Sequence, residues 1–303
     1  MNNMDSAHVE TEKKLTQLEK KLKKEYYKAY EEVSEAANDY FMQFAKQDEK
    51  RRLLVESGKM SEDQYISWRN TEMLTGEQWQ ELERRIAVEY QKVNKVAYAL
   101  TRNEMIDVYA LNRNYIYSWL TKDTGIDISF SLYDRKSVER LLTKRPNLLP
   151  KPSDEALKNM GGEKVSRYHR KKIRSIATRS IIKGDSIPDI AENICKETGQ
   201  ADLNNAVRQA RTMMTSAQNG GRQDSLVEAK ERYKKYGIIV KKKWIATDDN
   251  RTRHTHNEVD GEIVDVDDTF PYVDLEYPGD TSGDPSEIYN CRCTMRSVIE
   301  YEK

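Results

Sequence analysis

Gly237-Ile-Ile-Val-Lys-Lys-Lys-Trp244-Ile-Ala246 is the stretch at which a helical chain turns to β structure. From Val165 to Tyr236 the pattern is helical. Gly184 ends one helix there, and Ser186-Ile-Pro188-Asp189 starts the next with a cap residue and an early proline. Past Gly237 the residues suit a strand. Further on, Asp260-Gly261 between Val259 and Ile263-Val264 predicts a tight hairpin turn. The segment from Pro271 to Pro285, rich in Pro, Gly and Asp, reads as an ordered loop.

Working back toward the N-terminus, residues 1–145 hold no proline and three glycines, which favours uninterrupted helix. Leu15, Leu18, Leu22, Tyr26, Tyr30, Val33, Ala37, Tyr40 and Phe44 recur at gaps of three and four and draw one amphipathic stripe. Glu25, Glu32 and Asp39 occupy positions where a strict heptad needs apolar groups, so a coiled coil is disfavoured. Ser61 with Gln64, and Thr75 with Gln78, read as capping boxes that open new helices. The second leads into Leu82, Ile86, Tyr90, Val93, Ala97 and Leu100 on one side, so the region predicts a helical hairpin or bundle. Ile126, Ile128, Phe130 and Leu132 alternate with polar residues and predict a strand over 126–133 that needs a partner. Pro146, Pro150, Pro152 and Gly161-Gly162 mark a linker. The expected fold class is therefore α+β: long helices with a small irregular β-containing C-terminal unit. Residues 1–150 form a helical region, and 151–303 a second domain with helices over 163–236 and a β unit over 237–303.

Composition narrows the class. The 303 residues carry 51 basic and 51 acidic side chains, 34% charged against 37% apolar, and the mean hydropathy is −0.90. Long helices with much surface, completed by a partner, fit this better than one compact globule. No apolar run approaches a membrane span, and the N-terminal residues lack the apolar core of a secretory signal. Three cysteines make no disulfide scaffold, so synthesis in a reducing cytoplasm is expected. Charge is unevenly placed: residues 161–244 hold 19 basic and 9 acidic groups, whereas 245–303 hold 5 and 15. Either these regions compensate each other by packing, or Arg170, Lys171, Lys172, Arg174, Lys241, Lys242 and Lys243 present a face to nucleic-acid phosphates.

Glycine-rich phosphate loops, HExxH and GxSxG are absent. Chemistry-bearing residues concentrate in Asp249-Asn-Arg251-Thr-Arg253-His254-Thr-His256 and Asn290-Cys291-Arg292-Cys293. In extended chain, His254 with His256 and Cys291 with Cys293 would each form a two-ligand edge, together offering the N₂S₂ set that zinc accepts. The plain alternative is two small buried cysteines with Arg292 pointing to water. Asp249, Arg251, Arg253 and His256 allow acid–base chemistry, but arginine forks bracing an irregular tail are the stronger reading. Eighteen tyrosines against four phenylalanines suit interfaces and partly wet helix faces.

From Asn205 to Arg296 the chain resembles the head morphogenesis domain of tailed bacteriophages, the Mu F-like minor head proteins. The resemblance rests on Ala210-Arg211-Thr212, Ala217-Gln218-Asn219, Gly221-Arg222, Lys243-Trp244-Ile245-Ala246-Thr247, Asp249, Arg251-Thr252-Arg253, His256, Asp260-Gly261, Phe270, Pro278-Gly279-Asp280 and Asn290-Cys291-Arg292-Cys293. Met213 replaces a frequent glutamate, and His254 falls outside the family pattern, which leaves His256, Cys291 and Cys293 as the better zinc candidates. The resemblance implies a virion structural protein inside the phage head, made in the host cytoplasm and acting in head assembly, DNA packaging or ejection. Its implied partners are the portal, capsid or scaffold proteins and double-stranded DNA bound without sequence preference, with no membrane. Trp244, Asp249, Arg251, Arg253, His256, Asp260, Gly261, Asn290, Cys291 and Cys293 then form a structural cluster with no catalytic residue. Relatives with toxin or enzymatic modules carry them beyond this domain, and ten residues after Cys293 leave no expected room for one. The alternative is a metal-dependent nuclease built on the same histidine, aspartate and cysteines.

Overall fold

The computed structural model describes residues 4–127, 163–183, 185–247 and 249–302. Among the described residues, five helices precede the sheet: α1 (Ser6–Glu56), α2 (Glu62–Thr75), α3 (Glu77–Thr124), α4 (Glu163–Lys183) and α5 (Ile187–Tyr233). A short 3₁₀ turn (Lys234–Tyr236) leads to β1 (Ile238–Ile245). Then come α6 (His254–Glu258), β2 (Ile263–Asp265), α7 (Pro285–Ile288) and β3 (Thr294–Tyr301). Long helices with a small antiparallel sheet, in the order β2-β1-β3, are the α+β class expected. The strand expected at 126–133 and the boundary at 150–151 lie outside the described residues.

Contacts group the chain into two compact units. One comprises Lys21–Ala97 and Asp154–Ala206. Its core is the stripe read from the sequence: Leu22, Tyr26, Val33, Ala37, Tyr40 and Phe44 of α1 are buried, as are Leu82, Ile86, Tyr90, Val93 and Ala97 of α3. Each large apolar side chain so buried contributes roughly 1.5–3 kcal/mol, which outweighs solvent-screened surface pairs such as Glu81–Arg84. The buried Glu83 and His169 are each matched by a partner. Glu83 accepts from Trp79 Nε1 at 2.7 Å and from Arg174 Nε at 2.6 Å. His169 Nε2 lies 2.8 Å from Asp202. Ser61 and Gln64 form the expected capping box at the start of α2. A new helix also opens beside Thr75 and Gln78, α3 starting at Glu77 after Gly76; the Thr75 side chain lies outside the described residues. At the other predicted junction, Ser186 and Asp189 exchange hydrogen bonds and open α5 as expected.

The other unit comprises Met1–Lys20, Tyr98–Ser153 and Val207–Lys303. Here Gly221 of α5 runs against α3; a Cβ at this position would stand 2.5 Å from the Tyr109 carbonyl oxygen, so only glycine permits the approach. In β1 the buried residues alternate as Ile238, Val240, Lys242 and Trp244, the period of a strand with one covered face. Trp244 enters an apolar cluster with Val259, Phe270, Leu275 and Ile288. Asp260-Gly261 does form a turn, with Gly261 at φ +85°, but it is not the hairpin expected. Val259 follows a helix, and β2 pairs with β1 across α6, Lys243 facing Ile263. A hairpin signal reads only the turn, and here the chain enters it from helix.

Candidate functional site

One face of α5 reads the backbone of the C-terminal segment. Thr215, Asn219 and Arg222 are spaced by four and three, which stacks their side chains along the helix. Thr215 Oγ1 donates to the Cys291 carbonyl at 2.6 Å, Asn219 Nδ2 to the Cys293 carbonyl at 3.0 Å, and Arg222 Nη1 to the Met295 carbonyl at 2.8 Å. Alternate carbonyls of an extended chain point the same way, so a helix face meets every second residue. Asn219 also donates to the Pro278 carbonyl at 3.0 Å, and the Asn290 N–H donates to Thr212 Oγ1 at 3.1 Å. Asn290 itself sits at φ +54°, a left-handed conformation asparagine tolerates, and it turns the chain out of α7 into this segment.

Behind the ladder lies a buried polar network. Arg222 is fully buried and forks onto both Asp5 oxygens at 2.7 and 2.8 Å, while its Nε donates to Asn112 Oδ1 at 2.8 Å. Burial alone would raise the Asp5 carboxyl, but the Arg222 fork outweighs it and holds the group below its ordinary range. Gln218 donates to Thr294 Oγ1 at 2.7 Å and to His8 Nδ1 at 2.9 Å, which fixes His8 as a neutral acceptor. Burial, with Arg222 adding to it, lowers His8 to about 4.

The ladder presents Cys291 and Cys293 to His256. His256 Nδ1 lies 3.3 Å from Cys293 Sγ and 3.7 Å from Cys291 Sγ, and all three residues are buried. Among the described residues, this is the place where three metal-ligating side chains converge, their donor atoms within 4.8 Å of one another. Trp244 packs edge-on to the imidazole at 5.3 Å. On the far side of the ring, Nε2 lies 3.0 Å from Glu287 Oε2, off the axis of a hydrogen bond, and Glu287 also accepts from Thr255 at 2.9 Å. The Cys291 S–H lowers Cys293 to about 5 against the opposing effect of burial, with His256 assisting; the same contact and burial push Cys291 well up. Cys293, His256 and Glu287 thus stand in the order of a nucleophile, base and orienting acid. Burial decides against that use, since a reacting carbonyl must reach the sulfur and the thiol and imidazole are each 1% exposed.

His254 departs from the two-histidine edge. Residues 254–258 are helical, so positions two apart diverge; His254 points outward, 86% exposed and 3.3 Å from Glu258. The remaining cluster residues brace the backbone. Arg292 forks onto both oxygens of Asp249 at 2.6 Å, which, ahead of the Arg251 N–H, drives that carboxyl far below its usual range. Arg253 donates to the Tyr289 carbonyl, and Asp260 Oδ1 accepts from the Ala246 N–H at 2.7 Å. Arg251 is largely exposed, 3.7 Å from Asp249.

The basic residues separate. Lys171 is exposed, Lys172, Lys241 and Lys243 are half-buried, and the Arg170 side chain lies outside the described residues. Arg174 is committed to Glu83, and Lys241 pairs with Glu300 at 2.9 Å. Lys242 corrects the phosphate-facing set. Strand alternation turns it inward, where its ammonium donates to the Val266 and Glu276 carbonyls at 2.8 Å, and burial lowers it to about 8.

With this geometry in place, the likeness to known proteins is informative. Residues 171–296 match the family described as Phage Mu protein F like protein. Minor head protein GP7 of Bacillus phage SPP1 is 24% identical over 294 residues, covering 95% of this chain and 84% of that protein. The chain is thus similar to this family over residues 171–296, and to a phage minor head protein along most of its length. The NAD(+)–arginine ADP-ribosyltransferase EFV of Enterococcus faecalis is 38% identical over 149 residues, or 46% of this chain. An uncharacterized protein of Haemophilus influenzae is 26% identical over 191 residues, or 63%. The chain spans 30% and 37% of the lengths of these two relatives. No solved structure matches. The family motifs gain a physical meaning: Gly221 admits α3, Asn219 and Arg222 catch carbonyls, and Asn290 makes the turn.

Proposed function

We propose that the chain works inside the phage head, associated with the portal and with capsid or scaffold proteins, and assists head assembly, DNA packaging or ejection. The observation that carries this reading is the likeness to the SPP1 minor head protein along 95% of the chain. Residues 1–150 serve as the docking region and 151–303 as the head morphogenesis domain. Met42, Leu53, Leu54 and Ile66 support docking, since all four are exposed apolar side chains of α1 and α2. Lys171, Lys172 and Lys243 support contact with DNA phosphates. The nuclease alternative is opposed by the burial of His256, Cys291 and Cys293 and by the engagement of both Asp249 oxygens by Arg292. Co-sedimentation with the portal ring of the phage that encodes the chain tests the reading. Wild type is expected in the portal fraction, and Leu53→Asp with Leu54→Asp is expected to leave it. A chain absent from heads and from portal, or one that cuts plasmid with a divalent metal, overturns it.

A further inference from the structure

We infer that His256, Cys291 and Cys293 bind one zinc ion, which ties α6 to the segment entering β3. The donor chemistry fits: two sulfurs and an imidazole nitrogen are ligands zinc takes, usually in tetrahedral array. So does the spacing. Bonds of about 2.3 Å to sulfur and about 2.0 Å to nitrogen, at the tetrahedral angle, hold sulfur and nitrogen about 3.5 Å apart. Here the two separations are 3.3 and 3.7 Å, one on each side of that value and both measured to the same nitrogen. A lone S–H···N hydrogen bond would draw in one sulfur. Two arrive because Thr215 and Asn219 grip the carbonyls of residues 291 and 293, and that grip turns both side chains the same way.

The surroundings support the assignment. Glu287 stands 3.0 Å from the imidazole nitrogen that faces away from the sulfurs. Oε2 lies off the hydrogen-bond axis of Nε2, so Glu287 acts through its charge, which favours the proton on Nε2 and leaves the lone pair on Nδ1 toward the sulfurs. Trp244, Phe270, Leu275 and Ile288 supply an apolar shell. Three protein donors leave one tetrahedral position for solvent or another donor. The inference rests on this geometry alone and is independent of docking to the portal.

The test is metal analysis of the full chain purified under reducing conditions, followed by cobalt titration of chelator-stripped protein. About one zinc per chain is expected in wild type and in His254→Ala, whose imidazole is exposed, and little in Cys291→Ser with Cys293→Ser. Cobalt is expected to give the near-ultraviolet charge-transfer absorption of thiolate ligation. Glu287→Gln is expected to keep the cobalt spectrum but bind zinc about 10–100-fold more weakly. If the double serine variant fails to fold, the cobalt spectrum of wild type still decides. Wild type with neither zinc nor cobalt–thiolate absorption overturns the inference, as does a folded double variant that keeps its metal.

Discussion

The unit of residues 21–97 and 154–206 and the unit that carries the C-terminal sheet are stabilised by different means. In the first, apolar stripes on helices are buried at regular spacing, and stability follows the volume of side chains such as Leu22, Ile86 and Tyr90. In the second, a fully buried arginine, an asparagine and a threonine hold the backbone through donors aimed at carbonyls. Apolar packing tolerates exchange of similar volumes, whereas a buried donor network fails when one member is removed. The contrast explains how the unit with the C-terminal sheet combines a hydrophilic surface with a rigid knot.

The sharpest break in the comparison is Arg222→Ala. It strands the Asp5 carboxylate, Asn112 Oδ1 and the Met295 carbonyl, and is expected to cost about 3–5 kcal/mol in urea unfolding. In the other unit, Leu22→Ala removes packing alone, with an expected cost of about 2–5 kcal/mol, while Leu22→Met is expected to cost less than about 1.5 kcal/mol. A pH series sharpens the contrast further. His8 titrates near 4 when folded against an ordinary 6.5, so between those values the unfolded chain binds more protons. Stability from this group is present above about 6.5 and is lost as pH falls toward about 4; in His8→Asn the slope over that window is expected to flatten. The smallest effect is expected for Glu81→Gln, which loses an exposed pair with Arg84 and leaves the unfolding midpoint unmoved.

Legibility in the sequence follows the same divide. The stripe from Leu15 to Phe44, the helix start at Ser186, and the strand after Gly237 are readable because each is a local pattern of side chains. The ladder was not, because half of every contact is a backbone carbonyl that carries no residue identity. His8 and Asn112 lie on long helices where polar residues ordinarily face water, and nothing local marks them as buried; Asp5 stands just before α1, where it also accepts from the His8 N–H. His254 and His256 were paired on the premise of extended chain, and a single turn of helix separated them. Lys242 was open to a better reading: alternation through Ile238, Val240 and Trp244 places it on the covered face, but a run of three lysines draws attention to charge instead. Asp260-Gly261 carried the chemistry of a turn without saying what enters it.

Asn219→Leu probes the carbonyl ladder most directly, because leucine nearly matches asparagine in size and leaves no large cavity. Urea unfolding is predicted to show a loss of about 1–3 kcal/mol from the Pro278 and Cys293 carbonyls left without their donor. An unchanged or raised midpoint would contradict the account, since the knot would then be held by apolar packing like the rest of the molecule.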